Sequence, residues 1–337
     1  MAPRIIYDLP RERIALHPAS PRDSSRLMAV ELPSLKVTHT RFSSIPDYFS
    51  SGDVIVVNNS RVIGARLRGR KSTGGEVEFL LLERSGDLWK AMGRPASRLR
   101  PGMSIRVVKG ENEARVEILE KEPGGTFTLR APEGILELGV TPLPPYIASQ
   151  RETLERDKSD YQSFFARHDG SVAAPTSTLH FTPPLAGRLS EKGVRFAPVT
   201  LHIGPGTFRP SEKPAPEKYR VSPQSSRMIN SARRLCAAGT TVMRTLETAS
   251  SPEGRVSPSS GIADVYIKSP YRFRSACSMF ITNFHMPGTP LLELVAAFIE
   301  KYLPGRGAGA LMELYSEALS RKYRFLSYGD SMLLLGG

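Results

Sequence analysis

Three of the six histidines in the sequence, His180, His202 and His285, occur at the ends of predicted strands, in stretches rich in Thr, Gly and Asn. Catalytic side chains of α/β proteins tend to lie at such strand ends. Imidazole is also the side chain whose ordinary pKa suits proton transfer near neutral pH. The shared position of the three histidines therefore predicts one site for proton transfer. The alternatives are three separate structural histidines or a metal site, which would lack an acidic ligand and His-x-His spacing.

A glycine-rich turn, Gly204-Pro205-Gly206-Thr207, follows the predicted strand that contains His202. The backbone N–H groups of such a turn can bind an anion such as a carboxylate or a phosphate, although many turns of this composition are only tight connections. The sequence has no Gly-x-Ser-x-Gly elbow, Walker loop or Gly-x-Gly-x-x-Gly fingerprint. Hydride transfer and nucleoside triphosphate hydrolysis therefore lose their usual sequence support.

The positive charge of the chain is concentrated in one segment. The 337 residues include 46 Lys and Arg against 33 Asp and Glu, a formal net charge of +13, and residues 61–109 alone hold 12 basic and 4 acidic side chains. Within this segment, Arg66, Arg68 and Arg70 alternate with small or apolar residues, so one face of a strand is expected to present three guanidinium groups. The segment is either a surface for a polyanion such as RNA or a solvated basic face.

The pattern of predicted elements changes along the chain. Residues 53–145 form short predicted strands separated by Gly-rich turns, which is typical of a small β-barrel or sandwich. Beyond them, helices and strands alternate, with a helix predicted over residues 222–238 and strands over 195–203 and 277–283. Such alternation indicates a mostly parallel sheet covered by helices, so the fold class is α/β.

The expected domain organisation follows from this change. The N-terminal residues contain too little sheet to fold alone, so we expect them to join the later α/β part. The prediction is a discontinuous α/β domain of residues 1–60 and 148–337, with residues 61–147 forming an inserted, basic, all-β small-barrel domain.

Two further features restrict the class of protein. Cys236 and Cys277 are too few for a disulfide framework or a four-cysteine zinc site, so we expect two free thiols. The apolar stretches are far shorter than the ~20 residues of a membrane helix, and the charged N-terminal stretch lacks the apolar core of a signal peptide. We therefore expect a cytoplasmic protein that does not span a membrane.

Nine segments, in this order, carry a resemblance to a known family. They are YDLP (7–10), PRDSSRL (21–27), GDVIVVNNSRVI (52–63), GGEVE (74–78), VAAPTSTLHFT (172–182), VTLHIGPGTFRP (199–210), GTTVMRTLE (239–247), TNFH (282–285) and YRFLSYGD (323–330). With these segments the chain resembles the S-adenosylmethionine:tRNA ribosyltransferase-isomerase family of queuosine biosynthesis over nearly its whole length.

The resemblance implies both a fold and a reaction. The implied fold is a barrel-like α/β domain with an inserted β-barrel. The implied reaction moves the ribosyl unit of S-adenosylmethionine onto 7-aminomethyl-7-deazaguanine at the wobble position of tRNA, giving epoxyqueuosine, adenine and methionine. S-adenosylmethionine acts as a co-substrate, and no metal or redox cofactor is implied. The expected partners are this tRNA and S-adenosylmethionine, and we expect a monomer.

The resemblance also implies three sets of site residues. The candidate catalytic residues, for proton transfer and for holding the sulfonium or the amine, are His180, His202, His285, Glu247 and Asp330. The candidate residues for binding S-adenosylmethionine are Pro175, Thr176, Gly204, Gly206, Thr207, Arg209, Thr240, Thr241, Arg244 and Asn283. The candidate tRNA contacts are Arg22, Arg26, Arg61, Arg66, Arg68 and Arg70.

The sequence departs from the family pattern at two places. Ser171 and Thr178 stand where the family usually has glycine, and residues 212–221 lack the family's His-x-Met-His-x-Glu stretch, of which only Glu217 is retained. These departures leave two alternatives open. One is a diverged paralogue that uses S-adenosylmethionine with a small-molecule acceptor, and the other is a non-catalytic RNA-binding relative.

Overall fold

The computed structural model describes residues 5–208 and 213–336, and the chain divides into two compact units. The first, here the α/β unit, comprises Met1–Ser60, Ser163–His168 and Pro175–Gly337. The second, here the barrel unit, comprises Arg61–Gln162 and Asp169–Ala174. The barrel unit therefore extends past the predicted insertion of residues 61–147 and takes in a second short segment.

The strands and helices are numbered in chain order. The strands are β1 (Arg26–Glu31), β2 (Lys36–Arg41), β3 (Val54–Asn58), β4 (Ser60–Val62), β5 (Arg66–Lys71), β6 (Glu76–Ser85), β7 (Leu88–Arg94), β8 (Ser104–Lys109), β9 (Asn112–Glu122), β10 (Thr126–Arg130), β11 (His168–Ser171), β12 (Arg195–Leu201), β13 (Glu217–Val221), β14 (Leu235–Ala238), β15 (Ser259–Ala263), β16 (Cys277–Asn283) and β17 (Ser331–Leu335). The helices are α1 (Ile135–Leu138), α2 (Pro145–Ala148), α3 (Asp157–Asp160), α4 (Pro183–Glu191), α5 (Pro223–Asn230), α6 (Thr240–Ala249), α7 (Pro290–Glu300) and α8 (Gly307–Ser320). Short 3-10 helices cover Arg11–Arg13, Arg22–Ser24, Phe42–Tyr48, Ala96–Arg98, Thr176–Thr178 and Pro205–Phe208.

The α/β unit is built on a nine-stranded sheet in the order β15-β13-β12-β3-β14-β16-β17-β1-β2. The four central strands, β12, β3, β14 and β16, are parallel neighbours. The sheet is mixed rather than mostly parallel, because β13, β15, β17 and β2 each add an antiparallel pair, while β1 pairs with β17 in parallel. The parallel centre brings four strand ends to one edge of the sheet.

The core of the α/β unit lies against one face of these central strands. Alternate residues of β3, Ile55 and Val57, are at most 1% exposed and pack in one cluster with Phe181 and with Leu185 and Leu189 of α4. Alternation along a strand sends every second side chain to the same face, so one strand and one helix build a continuous apolar layer. Burial of each such side chain contributes roughly 1.5–3 kcal/mol.

The predicted helix over residues 222–238 is wrong in its second half. The helix α5 begins where the Ser222 hydroxyl accepts a hydrogen bond from the Ser225 N–H at 3.1 Å, and it ends at Asn230. Residues Leu235–Ala238 instead form β14, which is buried between β3 and β16. A four-residue apolar run is compatible with either a helix or a buried strand, so periodicity could not separate the two.

The barrel unit contains a closed antiparallel barrel of six strands in the order β10-β7-β6-β5-β8-β9. Buried residues such as Leu67, Phe79 and Phe127 fill its interior. A side chain at Gly93 would lie 2.7 Å from Leu99 and from Phe127, so glycine is needed where these residues approach the strand. The predicted α/β class with an inserted small β-barrel is confirmed. Over the described residues, the structure has no helix long and apolar enough to cross a membrane.

Candidate functional site

The carboxyl ends of the four central parallel strands form the candidate site, which we call the carboxyl edge. His202 follows β12, Asn59 follows β3, Gly239 follows β14, and Asn283 is the last residue of β16, two residues before His285. The strands are hydrogen-bonded neighbours in this order, so the residues that follow them share one edge. Ligands of open α/β sheets bind at this kind of edge.

His180 is a buried member of this edge, with 4% of its surface exposed. Asn283 Nδ2 donates to the His180 Nε2 at 3.4 Å, which assigns the ring proton to Nδ1, 2.8 Å from the Ser25 hydroxyl. Burial, with the charges of Arg324 and Arg22, lowers the pKa of His180 to about 3. The imidazole is therefore neutral at neutral pH, and both of its nitrogens are engaged in orienting neighbouring side chains.

Asn283 carries a buried hydrogen-bond acceptor without a partner in the described part of the chain. Its side chain is 1% exposed, and its Nδ2 also approaches the Leu326 carbonyl oxygen at 3.3 Å. Its Oδ1 accepts no hydrogen bond from any described residue. An unsatisfied buried acceptor costs about 1–3 kcal/mol, so a ligand N–H or O–H at this position would gain a prepared contact.

His285 lies in a pocket of hydroxyl groups. Its Nε2 is 2.8 Å from the Thr282 hydroxyl, its backbone N–H donates to the Tyr315 hydroxyl at 2.9 Å, and the Tyr7 hydroxyl donates to its carbonyl oxygen. Burial lowers the pKa of His285 to about 4. His180 and His285 are therefore both neutral imidazoles near neutral pH and do not carry an acidic imidazolium proton.

His202 is the least buried of the three histidines. Its Nδ1 is 2.9 Å from the Ser60 hydroxyl, and its backbone N–H donates to the Lys218 carbonyl. Asn58 fixes the end of β12, because its Nδ2 donates to the Leu201 carbonyl and its Oδ1 accepts from the Leu201 N–H. Asn58, at the end of β3, and Ser60 thus fix the position of His202.

Two amides at the end of β3 were missed as site residues by sequence reasoning. Besides Asn58, Asn59 accepts a hydrogen bond from the Thr200 hydroxyl at 2.7 Å. The available signal was a pair of amides directly after a buried β-branched strand, at the edge where the polar groups of the other strands meet.

A buried ion pair holds the glycine-rich turn that follows His202. Glu217 accepts from the Gly204 N–H at 2.9 Å through one oxygen and from Arg244 at 2.5 Å through the other. Arg244 also donates to the carbonyl oxygens of Ala215 and Ala263, each at 2.9 Å. Burial raises the pKa of Glu217, while Arg244 and the Gly204 N–H act in the opposite direction. The guanidinium of Arg244 is thus already occupied by protein groups, in contrast to the expected role as a charged partner of the substrate.

The N-terminus of α6 opens onto the carboxyl edge. Gly239 has φ +107°, a conformation that favours glycine, and Thr240 and Thr241 form the first turn. The first N–H groups of a helix have no partner within the helix and favour negative charge. Ser177, between the predicted residue Thr176 and Thr178, lies beside Gly239. The segment from Pro175 therefore lies at the same edge as Thr240.

Ser171 and Thr178, which depart from the family pattern, are both fully buried. Thr178 is 0% exposed, and its hydroxyl donates to the Pro175 carbonyl at 2.8 Å. Ser171 is also 0% exposed and lies in the barrel unit, where its carbonyl accepts from the Ile63 N–H. The Thr178 hydroxyl thus closes its own turn.

The structure separates the two predicted acidic residues. Asp330 lies at the carboxyl edge, because its neighbour Ser331 pairs with Asn283, and its carboxylate accepts from the backbone N–H groups of Arg26 and Arg324. Asp330 thereby joins the loop before β17 to β1.

Glu247 lies elsewhere, in the last turns of α6. Its buried carboxylate accepts from the N–H groups of Arg274 and Ser275 and from the hydroxyls of Ser275 and Tyr271. Ser275 precedes β16, whereas the carboxyl edge follows that seven-residue strand. At ~3.3 Å per residue the two ends are about 20 Å apart, so the structure does not bring Glu247 to the histidines.

The two predicted arginines of the α/β unit lie near the carboxyl edge, and Arg26 already contacts other protein groups. Arg22 is close enough to His180 to lower its pKa. Arg26 donates to the Arg321 carbonyl at 2.6 Å, and its guanidinium lies 3.8 Å from the centre of the Tyr323 ring.

The predicted arginines of the barrel unit differ in exposure. Arg61 is exposed and lies 3.6 Å from Asp169, and Arg68 and Arg70 are exposed on β5. The prediction that the strand presents three guanidinium groups is wrong for Arg66, which is 8% exposed. Its guanidinium donates to the Leu143 carbonyl and lies 3.6 Å from Glu78.

Some predicted residues add little to the geometry. Gly206 is exposed. The structure does not describe the side chain of Thr207, and Arg209 lies outside the described residues. Within residues 5–208 and 213–336, no three His, Cys, Asp or Glu side chains are grouped so that they could hold a metal ion.

Comparison with known proteins identifies the family. The sequence profile of the family described as "Queuosine biosynthesis protein" matches residues 4–334. The chain belongs to this family. It is 42% identical over 351 residues to the S-adenosylmethionine:tRNA ribosyltransferase-isomerase of Symbiobacterium thermophilum, covering 98% of both proteins. It is 40% identical over 347 residues to the enzyme of the same name from Acetivibrio thermocellus, covering 97% of this chain and 98% of the relative.

A solved structure of the family supports the fold. The crystal structure of S-adenosylmethionine tRNA ribosyltransferase from Thermotoga maritima matches this chain with a TM-score of 0.55 at 33% identity. The match covers 98% of this chain and 99% of that one. The resemblance read from the ordered sequence segments is thereby confirmed.

Proposed function

We propose that this protein is an S-adenosylmethionine-dependent tRNA ribosyltransferase-isomerase. It transfers the ribosyl unit of S-adenosylmethionine to 7-aminomethyl-7-deazaguanine at the tRNA wobble position, giving epoxyqueuosine, adenine and methionine. The observation that carries the proposal is the identity of about two residues in five, over essentially the whole chain, to relatives of that name. S-adenosylmethionine is a co-substrate, and the proposal includes no metal or redox cofactor. We further propose that the protein acts as a monomer in the cytoplasm.

The carboxyl edge suggests a division of labour among the histidines. The reaction needs a base to remove a proton next to the sulfonium and a neutral attacking amine. His202, the least buried, and His285, with one ring nitrogen bound to Thr282, are the proposed groups for proton transfer. His180 is proposed as a positioning residue, since both its nitrogens are engaged and it orients Asn283.

S-adenosylmethionine has a proposed binding position at the carboxyl edge. The methionine carboxylate would interact with the N–H groups at the start of α6 and of the Gly204–Thr207 turn, where backbone donors favour an anion. Asn283 Oδ1 would accept a hydrogen bond from S-adenosylmethionine. Glu217 and Arg244 would act by holding the turn.

The test is adenine release from S-adenosylmethionine, followed by chromatography, with and without tRNA that carries 7-aminomethyl-7-deazaguanine. The expected result is adenine release that requires the modified tRNA, with a matching gain in tRNA mass. Adenine release without tRNA would favour a small-molecule acceptor. Binding of tRNA with no adenine release would favour the non-catalytic relative. A His202→Ala variant serves as a control, since it should retain tRNA binding and lose adenine release.

A further inference from the structure

We propose that three arginines on the outer wall of the barrel unit form a phosphate-binding row for the backbone of the tRNA. The row consists of Arg70, Arg106 and Arg115, one from each of the adjacent strands β5, β8 and β9. The identity of the polyanion rests on the proposed function, whereas the row itself rests on the register of the strands.

The register places the three arginines directly opposite one another. Arg70 pairs with Arg106 across β5 and β8, and Arg106 pairs with Arg115 across β8 and β9. All three are exposed, whereas the flanking Val107 and Val116 are buried inside the barrel, so the arginines face outward. Neighbouring strands are about 4.8 Å apart, so the row spans roughly 10 Å between its outer Cα positions.

The arrangement is unfavourable for the barrel by itself. Like charges directly opposite each other on adjacent strands destabilise a sheet. Arg70 has one exposed partner, Glu76 at 3.0 Å, and Arg106 has one, Glu113 at 2.9 Å. Among the described residues, no carboxylate lies within ion-pair distance of Arg115. An external anion is what would relieve the remaining repulsion.

The ion pairs in the row can be exchanged for phosphate contacts. The side chains of Arg70 and Glu76 are 71% and 79% exposed, and those of Arg106 and Glu113 are 64% and 58% exposed. Exposed pairs of this kind contribute little to stability, because water screens the two charges. An Arg–phosphate contact is charge-assisted and often bidentate, so replacement of a carboxylate by a phosphate costs little and gains more.

The same wall continues on its other side with two further exposed arginines. Glu78 pairs with Arg68 across β5 and β6 and with Arg94 across β6 and β7. This carboxylate therefore lies between two cations, while the row of Arg70, Arg106 and Arg115 has none between its members. The register therefore places three guanidinium groups next to one another on β5, β8 and β9, whereas Glu78 on β6 stands between Arg68 and Arg94.

The experiment measures tRNA affinity as a function of salt. The triple variant Arg70→Gln, Arg106→Gln, Arg115→Gln is compared with wild type and with a charge-matched control, Arg188→Gln, Arg227→Gln, Arg255→Gln, whose exposed arginines lie in the α/β unit. Each lost phosphate contact should lower the slope of log K against log salt by about 0.7–0.9, so the row variant should lose about 2–3 units of slope. The control should keep the wild-type slope.

A second variant tests the row without a large change in charge. Arg115→Gln should lower the slope by about 0.7–0.9, and Arg115→Lys should leave it near the wild-type value. An unchanged slope in both the triple variant and Arg115→Gln would overturn the row. An equal fall in the control would also overturn it, because only net charge would then matter. If the triple variant lost more affinity for an acidic protein than for tRNA, relative to wild type, tRNA would be excluded as the occupant of the row.

The outcome is independent of the test of the proposed function. Loss of slope in the row variant, in a protein that releases no adenine, would support the row and reject the transferase. Adenine release with an unchanged slope would support the transferase and reject the row.

Discussion

The buried ion pair between Glu217 and Arg244 offers the sharpest quantitative test of the site geometry. Their side chains are 9% and 5% exposed, and Glu217 joins the Gly204 N–H to the Arg244 guanidinium. The variant Glu217→Gln keeps an acceptor for Gly204 but removes the charge that compensates Arg244. Breaking a buried pair by removing one partner costs about 3–5 kcal/mol, because the other charge remains buried.

The assay is equilibrium unfolding in urea for Glu217→Gln, Arg244→Met and the double variant. We expect each single change to lower the free energy of unfolding by about 3 kcal/mol or more, and the double variant to lose much less than the sum, because no unpaired buried charge remains. The exposed pair Arg130 and Glu117, 53% and 48% exposed, is the matched control, with an expected loss below about 1 kcal/mol. A loss below about 1 kcal/mol for Glu217→Gln, or additive effects in the cycle, would refute the reasoning.

Further predictions concern the edge and its support. Because burial lowers the pKa of His180 to about 3 and of His285 to about 4, the unfolded chain binds their protons first as the pH falls. The free energy of unfolding in urea should be constant with pH above about pH 6.5 with respect to these two histidines. Toward pH 4 it should fall by up to ~1.4 kcal/mol per pH unit for each histidine, and His285→Gln should reduce this slope. Gly239→Ala forces a side chain into φ +107° and should lower thermal stability by about 1–3 kcal/mol, whereas Gly187→Ala, with open space around it, should not. Glu247→Gln should lower the urea midpoint and leave kcat of the folded protein unchanged, and a selective loss of kcat would contradict its position. Asn283→Ala should lower kcat/KM by about tenfold or more, as for one lost buried contact, and an unchanged kcat/KM would remove it from the site.

The location of the site was accessible from the sequence. His202 and Asn283 lie at the ends of predicted strands, and parallel strands bring their ends to one edge, whereas the sequence predicts a helix before Gly239. The prediction of a strand end is confirmed for His202 and His285 and is wrong for His180, which follows the 3-10 helix Thr176–Thr178 and contacts Asn283 and Ser25. The alternating strands and turns of residues 61–147 likewise predicted the barrel.

The contacts of individual side chains were not accessible in the same way. Strand alternation puts Arg66 on the same side as Arg68, but it does not reveal the Leu143 segment that buries Arg66. Helical spacing identifies the position of Arg244 but not its partner Glu217, which is 27 residues away along the chain. These differences depend on long-range packing, which a local sequence pattern does not contain.

The most direct test of the central claim follows the atoms of S-adenosylmethionine during reaction with the modified tRNA. One sample carries isotope in the ribosyl carbons and another in the methyl carbon, and the label in tRNA and in free methionine is measured by mass spectrometry. The account predicts that ribosyl label enters the tRNA and that methyl label leaves with methionine. Methyl label in the tRNA, or ribosyl label remaining with adenine, would contradict it.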